Sequence, residues 1–180
     1  MSSGASSVVA SPHRINRGDS SYPRALVTRL GEQSPASLVA CGNIALLTKT
    51  KTALFCSTRC PGDAILRAYD QAAKWRDAGR CVISGFHSPV EKECLRILLR
   101  GHQPIIICPA RSLPKRVPAE WREPLANGRL LILSCFSPEE SRPTSELATR
   151  RNELVAALAD EVFIIHATPR GHIARLSEQL

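Results

Sequence analysis

Short apolar segments alternate with helix-patterned segments from residue 52 onward, and this alternation constrains the fold more than any other feature. Apolar runs with the length and bounding turn residues of buried strands occupy residues 52–56, 81–83, 104–108, 130–135 and 161–165. Apolar residues at helical spacing lie between them, over residues 65–73, 90–98 and 147–158, with a last helical turn or two over 171–179. Strands separated by helices need right-handed crossovers and a sheet covered on both faces. The pattern predicts a Rossmann-like α/β fold with a doubly wound, mostly parallel sheet of about five strands.

One helix start carries a strong local signal, the segment Ser88-Pro89-Val90-Glu91. Ser88 has the chemistry of an N-cap, Pro89 suits the first helical position, and Glu91 stands where a capping box places its acid. The helix is expected to begin at Pro89 and to stop at Gly101. Glu91 is therefore interpreted as a cap and not as a catalytic acid.

The segment before the alternation has weaker signals. Residues 1–33 are rich in serine and basic residues and are predicted to form a disordered basic tail, followed by a single Rossmann-like domain over residues 34–180. Within this domain, Ser34–Leu38 is predicted to enter a short helix. Pro109–Gly128 is predicted to be a long loop.

The composition limits the classes of function and the partners that the chain can have. The formal net charge of +8 favours an anionic partner such as nucleic acid, a nucleotide or an acidic membrane surface, although a basic protein can also be merely soluble. The 7 cysteines lie mostly in apolar runs, which indicates reduced thiols in a cytoplasmic protein. Only Cys56 and Cys60 form a tight pair, and no second pair has zinc-ligand spacing, so no metal site is expected. No apolar stretch approaches the ~20 residues that span a bilayer, so no membrane partner is expected.

Most candidate ligand-binding residues lie in the predicted turns after the strands, and residues 150–152 lie near the start of the helix that precedes the last strand. In open parallel sheets, ligands bind at the carboxyl ends of the strands, where helix N-termini direct N–H groups toward anions. Each candidate also has a structural explanation, as a helix cap or a solvated side chain. Their convergence on one edge nevertheless predicts a phosphate- or DNA-binding site formed by Ser57, Thr58, Arg59, Ser84, Gly85, His87, Arg150, Arg151, Asn152, Arg170, Gly171 and His172.

The sequence lacks the common catalytic and cofactor motifs. It contains no G-x-G-x-x-G for a dinucleotide, no G-x-x-x-x-G-K-[ST] for a P-loop and no G-x-S-x-G for a nucleophile elbow. No pair of carboxylates lies on the predicted strand-end turns, where acid–base catalysis needs them. We therefore expect a binding protein with no cofactor and no enzymatic activity.

Four motifs give the chain a family resemblance. Cys56–Arg59 is similar to a strand ending in Gly-Thr-Arg or Gly-Ser-Arg, and Ser84–Glu91 is similar to Ser-Gly-x-Ala-x-Gly-Ile-Asp. Arg151–Ala159 is similar to Arg-Asn-Arg-x-Ile-x-Gly-Leu-Ser, and Arg170–His172 to a Ser-Gly-Ser turn. In this order and spacing, residues 46–180 resemble the Rossmann-like domain of the DNA-processing protein A family.

The resemblance implies a protein that binds single-stranded DNA and loads a RecA-type recombinase during DNA uptake, as in natural transformation, or during repair. It implies no catalysis. It assigns to the DNA pocket the residues that match the family motifs, with the two arginines on phosphates: Arg59, Ser84, Gly85, Arg151, Asn152 and Gly171. Arg170 and His172 are added from their position in the last turn. A homodimer is left open.

The chain is a short, divergent match to the family pattern. Family glycines are replaced by Cys56, Pro89 and Ala157, and the second arginine of Arg-Asn-Arg is Glu153, which is expected to weaken an anion site by repulsion. The alternative function is a Rossmann-like protein that binds or hydrolyses a nucleotide or a nucleotide derivative.

Overall fold

The computed structural model describes residues 11–179, which form seven β-strands and six α-helices. The strands are β1 His13–Asn16, β2 Ser37–Gly42, β3 Lys51–Cys56, β4 Cys81–Ser84, β5 Ile105–Ile107, β6 Leu130–Ser134 and β7 Glu161–His166. The helices are α1 Arg24–Leu30, α2 Gly62–Asp77, α3 Pro89–Leu99, α4 Ala119–Ala126, α5 Ser145–Leu158 and α6 His172–Ser177. All five predicted strands are present as β3 to β7, and the predicted helix start at Pro89 is confirmed.

The strands form one sheet in the order β1-β2-β6-β5-β4-β3-β7. Strands β3 to β7 are parallel, whereas β1 and β2 extend the sheet in antiparallel pairing beyond β6. The chain moves outward from β3 through β4 and β5 to β6, and α5 then returns it to β7 on the other side of β3. A topological switch point therefore lies between β3 and β7, the position at which open α/β sheets bind ligands.

Helices cover both faces of the sheet, as a doubly wound fold requires. Side chains of α2 and α3, such as Ala72 and Leu98, pack on the face that includes Leu54 of β3. Side chains of α1 and α5, such as Leu26 and Val155, pack on the opposite face. Each buried Leu, Ile or Val contributes roughly 1.5–3 kcal/mol relative to exposure. The two cores therefore fix the directions in which the strand-end turns emerge.

The prediction of a disordered tail is wrong for residues 11–33, and its first ten residues lie outside the described part of the chain. Strand β1 pairs with β2, and Ile15 is fully buried. Helix α1 packs on α5, where the Arg29 guanidinium donates to the carbonyl oxygens of Ala157, at 3.0 Å, and Ala159. A positive side chain at a helix C-terminus is favourable because the last carbonyls carry partial negative charge.

Two further predictions are corrected. Residues 34–38 do not begin a helix, because Ser37–Gly42 is a strand that pairs with β1 and β6. The predicted long loop of residues 109–128 contains α4, in which Pro124 lies inside the helix and is buried. None of the helices within residues 11–179 is long and apolar enough to cross a membrane.

Candidate nucleic-acid interface

A cavity of about 270 Å³ opens at the carboxyl ends of β3 and β7, at the switch point of the sheet. We call it the strand-end cavity. Eight of the twelve residues predicted from the sequence line it, and they come from the turns after β3 and β4, the middle of α5 and the start of α6: Ser57, Thr58, Arg59, His87, Arg151, Asn152, Gly171 and His172. Its other lining residues, which the sequence did not single out as ligands, are Cys56, Ser88, Glu91, Ala148, Thr168 and Ile173.

Arg151, in α5, is the buried positive charge of the cavity, with 4% of its surface exposed. Its Nε donates to Asn152 Oδ1 at 2.7 Å, and its Nη1 donates to the carbonyl oxygen of Cys108 at 3.1 Å. Within the described part of the chain, no ion pair includes Arg151 and its Nη2 has no acceptor. Burial lowers the pKa of the guanidinium, and the charge of Glu91 partly opposes that effect. An arginine remains charged in such a site, so an anion in the cavity would gain a strong partner.

Gly85 makes room for this guanidinium. A Cβ atom at residue 85 would overlap the Arg151 guanidinium, so only glycine fits without displacing it. Ser84 is fully buried and its Oγ accepts from the Phe86 N–H at 3.1 Å. Neither Ser84 nor Gly85 lines the strand-end cavity; Ser84 stabilises the turn, and Gly85 lets that turn approach Arg151.

Glu91 holds two turns of the cavity together. Its carboxylate accepts from the backbone N–H groups of Cys56 at 2.8 Å, His87 at 2.8 Å and Ser88 at 3.1 Å. The predicted capping box with Ser88 is present. The bond to Cys56 joins the end of β3 to the start of α3, which the sequence motif did not indicate. Because Glu91 is 5% exposed and its oxygens are occupied by backbone donors, it acts as a structural anion of the site.

Ser57 joins the ends of β3 and β7. Its backbone N–H donates to the carbonyl oxygen of His166 at 2.9 Å, and its Oγ accepts from the Thr168 N–H at 2.9 Å. Thr58 and Arg59 follow at the exposed rim. No ion pair includes Arg59 among the described residues, so its charge is available to a ligand.

His172 fixes the start of α6 against α5. Its Nδ1 lies 2.9 Å from Thr149 Oγ1, and its Nε2 lies 2.9 Å from Ser145 Oγ. Thr149 Oγ1 also donates to the carbonyl oxygen of Ser145 at 3.1 Å, so we assign the proton of the neutral ring to Nδ1. A Cβ atom at Gly171 would lie 2.9 Å from the Thr168 carbonyl oxygen, which explains a glycine at this close approach.

Arg150 and Arg170 lie outside the strand-end cavity. Although Arg150 is next to Arg151 in α5, its side chain is directed away from that cavity, toward the turn after β6. Its Nη1 donates to Glu140 Oε1 at 3.0 Å, and its guanidinium lies 5.1 Å from the centre of the Phe136 ring. Arg170 is exposed in a turn, with a φ of 61°.

The comparisons with known proteins place this geometry in a family. A sequence model of the DNA recombination-mediator protein A family matches residues 13–172. The chain belongs to this family. No curated protein sequence matches the chain.

Two solved structures of DNA processing protein A share the fold, each with a TM-score of 0.74. The protein from Streptococcus pneumoniae is 20% identical, and the match covers 95% of this chain and 61% of that one. The protein from Helicobacter pylori, described as having a unique single-stranded DNA binding mode, is 22% identical, with 96% and 77% covered. The chain thus spans less than two thirds of the length of the Streptococcus protein.

The departures from the family motifs leave the cavity intact. Glu153 does not line the strand-end cavity; it lies on the side of α5 that faces Arg29 and Leu176. Its repulsion of a bound anion stays a prediction. The family glycines replaced by Cys56, Pro89 and Ala157 fall at positions without a positive φ. Residues other than glycine adopt these conformations without strain.

The chemistry of the strand-end cavity suits binding of an anion. It has one buried guanidinium, one exposed guanidinium and a carboxylate already occupied by backbone donors. Among residues 11–179, no three His, Cys, Asp or Glu side chains lie together as a metal site. Ser145 and His172 form a hydroxyl–imidazole pair, but Nδ1 meets a threonine hydroxyl where a triad has a carboxylate.

Proposed function

We propose that the strand-end cavity binds a backbone phosphate of single-stranded DNA, with Arg151 as its buried ligand and Arg59 as its exposed ligand. The observation that carries this proposal is the burial of Arg151 without an ion-pair partner in the described structure. A buried charge without a counter-ion is costly unless it serves a ligand. An anion at Nη2 would supply the missing acceptor.

The shape of the site favours a single strand over a duplex. Arg151 lies inside a cavity lined by the turns after β3, β4 and β7 and by one side of α5, so a phosphate must enter the cavity to reach it. A flexible single strand can insert one phosphate and splay its neighbours, whereas a stiff duplex presents its phosphates on a convex surface. Single-stranded DNA is therefore the proposed partner.

The wider role follows from family membership. We propose that the protein presents the bound strand to a RecA-type recombinase in natural transformation or repair, without catalysing a reaction. A cytoplasmic location and a homodimeric state belong to the same proposal. The family match over residues 13–172 supports recombination mediation as the class of function.

The test is fluorescence anisotropy with labelled single-stranded and duplex oligonucleotides at two salt concentrations. Arg151→Lys keeps the charge but loses the planar fork, and we expect single-strand affinity to fall about tenfold. Arg150→Lys is the matched control, because the neighbouring arginine lies outside the cavity. Arg59→Ala should lower the slope of log K against log salt by about 0.7 if one phosphate contact is lost.

Unchanged single-strand affinity in both Arg151→Lys and Arg59→Ala would refute the proposal. The nucleotide-binding alternative is tested by thermal unfolding with nucleoside mono- and diphosphates, because a ligand of the native state raises the unfolding temperature. Stabilisation by a nucleotide without any DNA binding would replace the DNA proposal with the alternative.

A further inference from the structure

A second, larger depression lies beside the strand-end cavity at the same edge of the sheet. Its volume is about 720 Å³, and it is bordered by the turn after β5, the turn after β6 and the paired strands β1 and β2. We call it the basic groove. Among the described residues, five cations and no Asp or Glu line it: Arg14, Arg111, Lys115, Arg116 and Arg142.

The charges of the basic groove are not neutralised by the described protein. No ion pair within residues 11–179 includes any of the five cations, although ion pairs occur elsewhere, as between Arg76 and Asp77. The nearby carboxylate of Glu140 accepts from the Ser137 N–H at 2.8 Å and from Arg150. Several cations in a concave site create a strong positive potential, which attracts polyanions.

The two turns that border the basic groove are bonded to each other. Ser134 Oγ donates to the carbonyl oxygen of Arg111 at 2.7 Å, and the Ser112 N–H donates to the carbonyl oxygen of Glu140 at 2.9 Å. Ser134 is fully buried. The groove is therefore built in advance, so a ligand would not have to order these backbones.

A third cavity, of about 310 Å³, lies between the groove and the strand-end cavity, and we call it the intervening cavity. It shares His87 and Arg151 with the strand-end cavity and Arg111 with the basic groove. Between these residues it is lined by Trp121 and Pro143, among others. The three depressions follow the carboxyl ends of β3, β4, β5 and β6, a row of about 14 Å at the usual strand spacing.

We propose that the basic groove is a second phosphate-binding site for the same DNA strand. The strand runs from the strand-end cavity across the intervening cavity into the groove. This inference rests on the proposed function, because it requires a strand at Arg151. The strand-end cavity then binds one phosphate at a buried site, and the groove binds several phosphates through exposed positive charges. The groove contributes affinity only to oligonucleotides long enough to reach it.

The experiment compares a four-nucleotide and a twenty-nucleotide oligo(dT) on the full chain. The groove variant is R111Q/K115Q/R116Q. The matched control K49Q/K74Q/R100Q also removes three exposed cations that form no ion pair in the described structure, but these lie at the opposite end of the strands. Thermal unfolding checks that both variants fold like the unchanged protein.

We expect the unchanged protein and the control to bind the longer oligonucleotide more tightly than the shorter one. The groove variant should lose most of that gain, roughly tenfold at low salt, and its salt slope for the longer strand should fall by about 2, since each phosphate contact on a single strand contributes about 0.7. An undiminished gain overturns the groove proposal. Equal losses with duplex and single strand also overturn it, because the groove would then be a duplex site.

Failure of the proposed function gives a different result. If the unchanged protein binds no single strand, or binds it without sensitivity to Arg59→Ala and Arg151→Lys, both proposals fall. If those arginine variants weaken binding and the groove variant keeps the full gain with length, only the groove proposal falls.

Discussion

The strand-end cavity and the basic groove carry positive charge in opposite ways. In the cavity, Arg151 is buried, positioned by Gly85 and bonded to Cys108 and Asn152, so the charge is part of the packed structure. In the groove, the five cations are exposed, with Arg14 on β1 and the others on the turns after β5 and β6. We therefore expect substitutions in the cavity to change stability and binding together, and substitutions in the groove to change binding alone.

The largest effect is expected from Glu91→Ala. The substitution leaves the N–H groups of Cys56, His87 and Ser88 without their acceptor, and it removes the negative charge near Arg151. We expect a loss of about 3–5 kcal/mol in the free energy of unfolding, because buried donors remain unpaired. Urea unfolding measures this loss. Glu120→Ala is the control, because Glu120 is exposed and forms no ion pair in the described structure. A loss as small as that of the control would mean that Glu91 does not hold the cavity together.

Gly85→Ala tests the close approach of the turn to Arg151. The added Cβ would displace the guanidinium, and we expect a cost of about 1–3 kcal/mol from overpacking together with weaker single-strand binding. Gly62→Ala is the control, since a Cβ there would meet nothing within 4 Å. Reduced stability with unchanged DNA affinity would contradict the expectation that cavity substitutions change stability and binding together.

The buried thiols should make the stability of the protein depend on pH. Burial raises the pKa of Cys94 and of Cys108 to about 12 from the ordinary 9.0, and Cys108 carries the carbonyl that accepts from Arg151. Their neutral forms favour the folded state, so this stability is complete below pH 9 and is lost as pH rises toward 12. At pH 10 the loss should be about 1 kcal/mol per thiol. Cys108→Ala should flatten the dependence of unfolding free energy on pH between 9 and 11; an unchanged slope would contradict the assignment.

The smallest effect on stability is expected in the groove. The variant R111Q/K115Q/R116Q should change the free energy of unfolding by no more than about 0.5 kcal/mol, because the side chains are exposed and unpaired in the described structure. Thermal unfolding at low and at high salt measures it. A gain in stability at low salt would show that the groove cations repel one another strongly, whereas a clear loss would mean that they take part in the packing.

The sequence predicted the parallel part of the sheet well and the antiparallel part poorly. Strands β3 to β6 are almost wholly apolar because both faces of the sheet are covered, so their runs stand out. Strand β1 buries only Ile15, and its remaining residues are polar or charged. A strand with one inward residue gives no periodic signal, so the sequence predicts a disordered tail there and does not indicate that Arg14 contributes to the groove.

The sequence predicted eight of the residues that line the strand-end cavity, but it did not predict the contacts that they make. The rule that strand-end turns form a ligand edge correctly brought Ser57, Arg59 and Arg151 together. It could not reveal that the Ser57 hydroxyl accepts from the backbone N–H of Thr168, just after β7, and is occupied in this way. It also treated Arg150 and Arg151 alike, since helical phase becomes a direction only when the helix has a known position on the sheet.

The alternation of strands and helices, the capping box at Ser88 and the family motifs can be read from the sequence, because they depend on residues near one another in the chain. Tertiary structure alone decided that β7 lies beside β3, that Glu91 reaches Cys56, and that Arg151 is buried against Gly85. The physical reason is distance along the chain. Each of these contacts joins segments separated by many residues, and their energies depend on packing that no local pattern encodes.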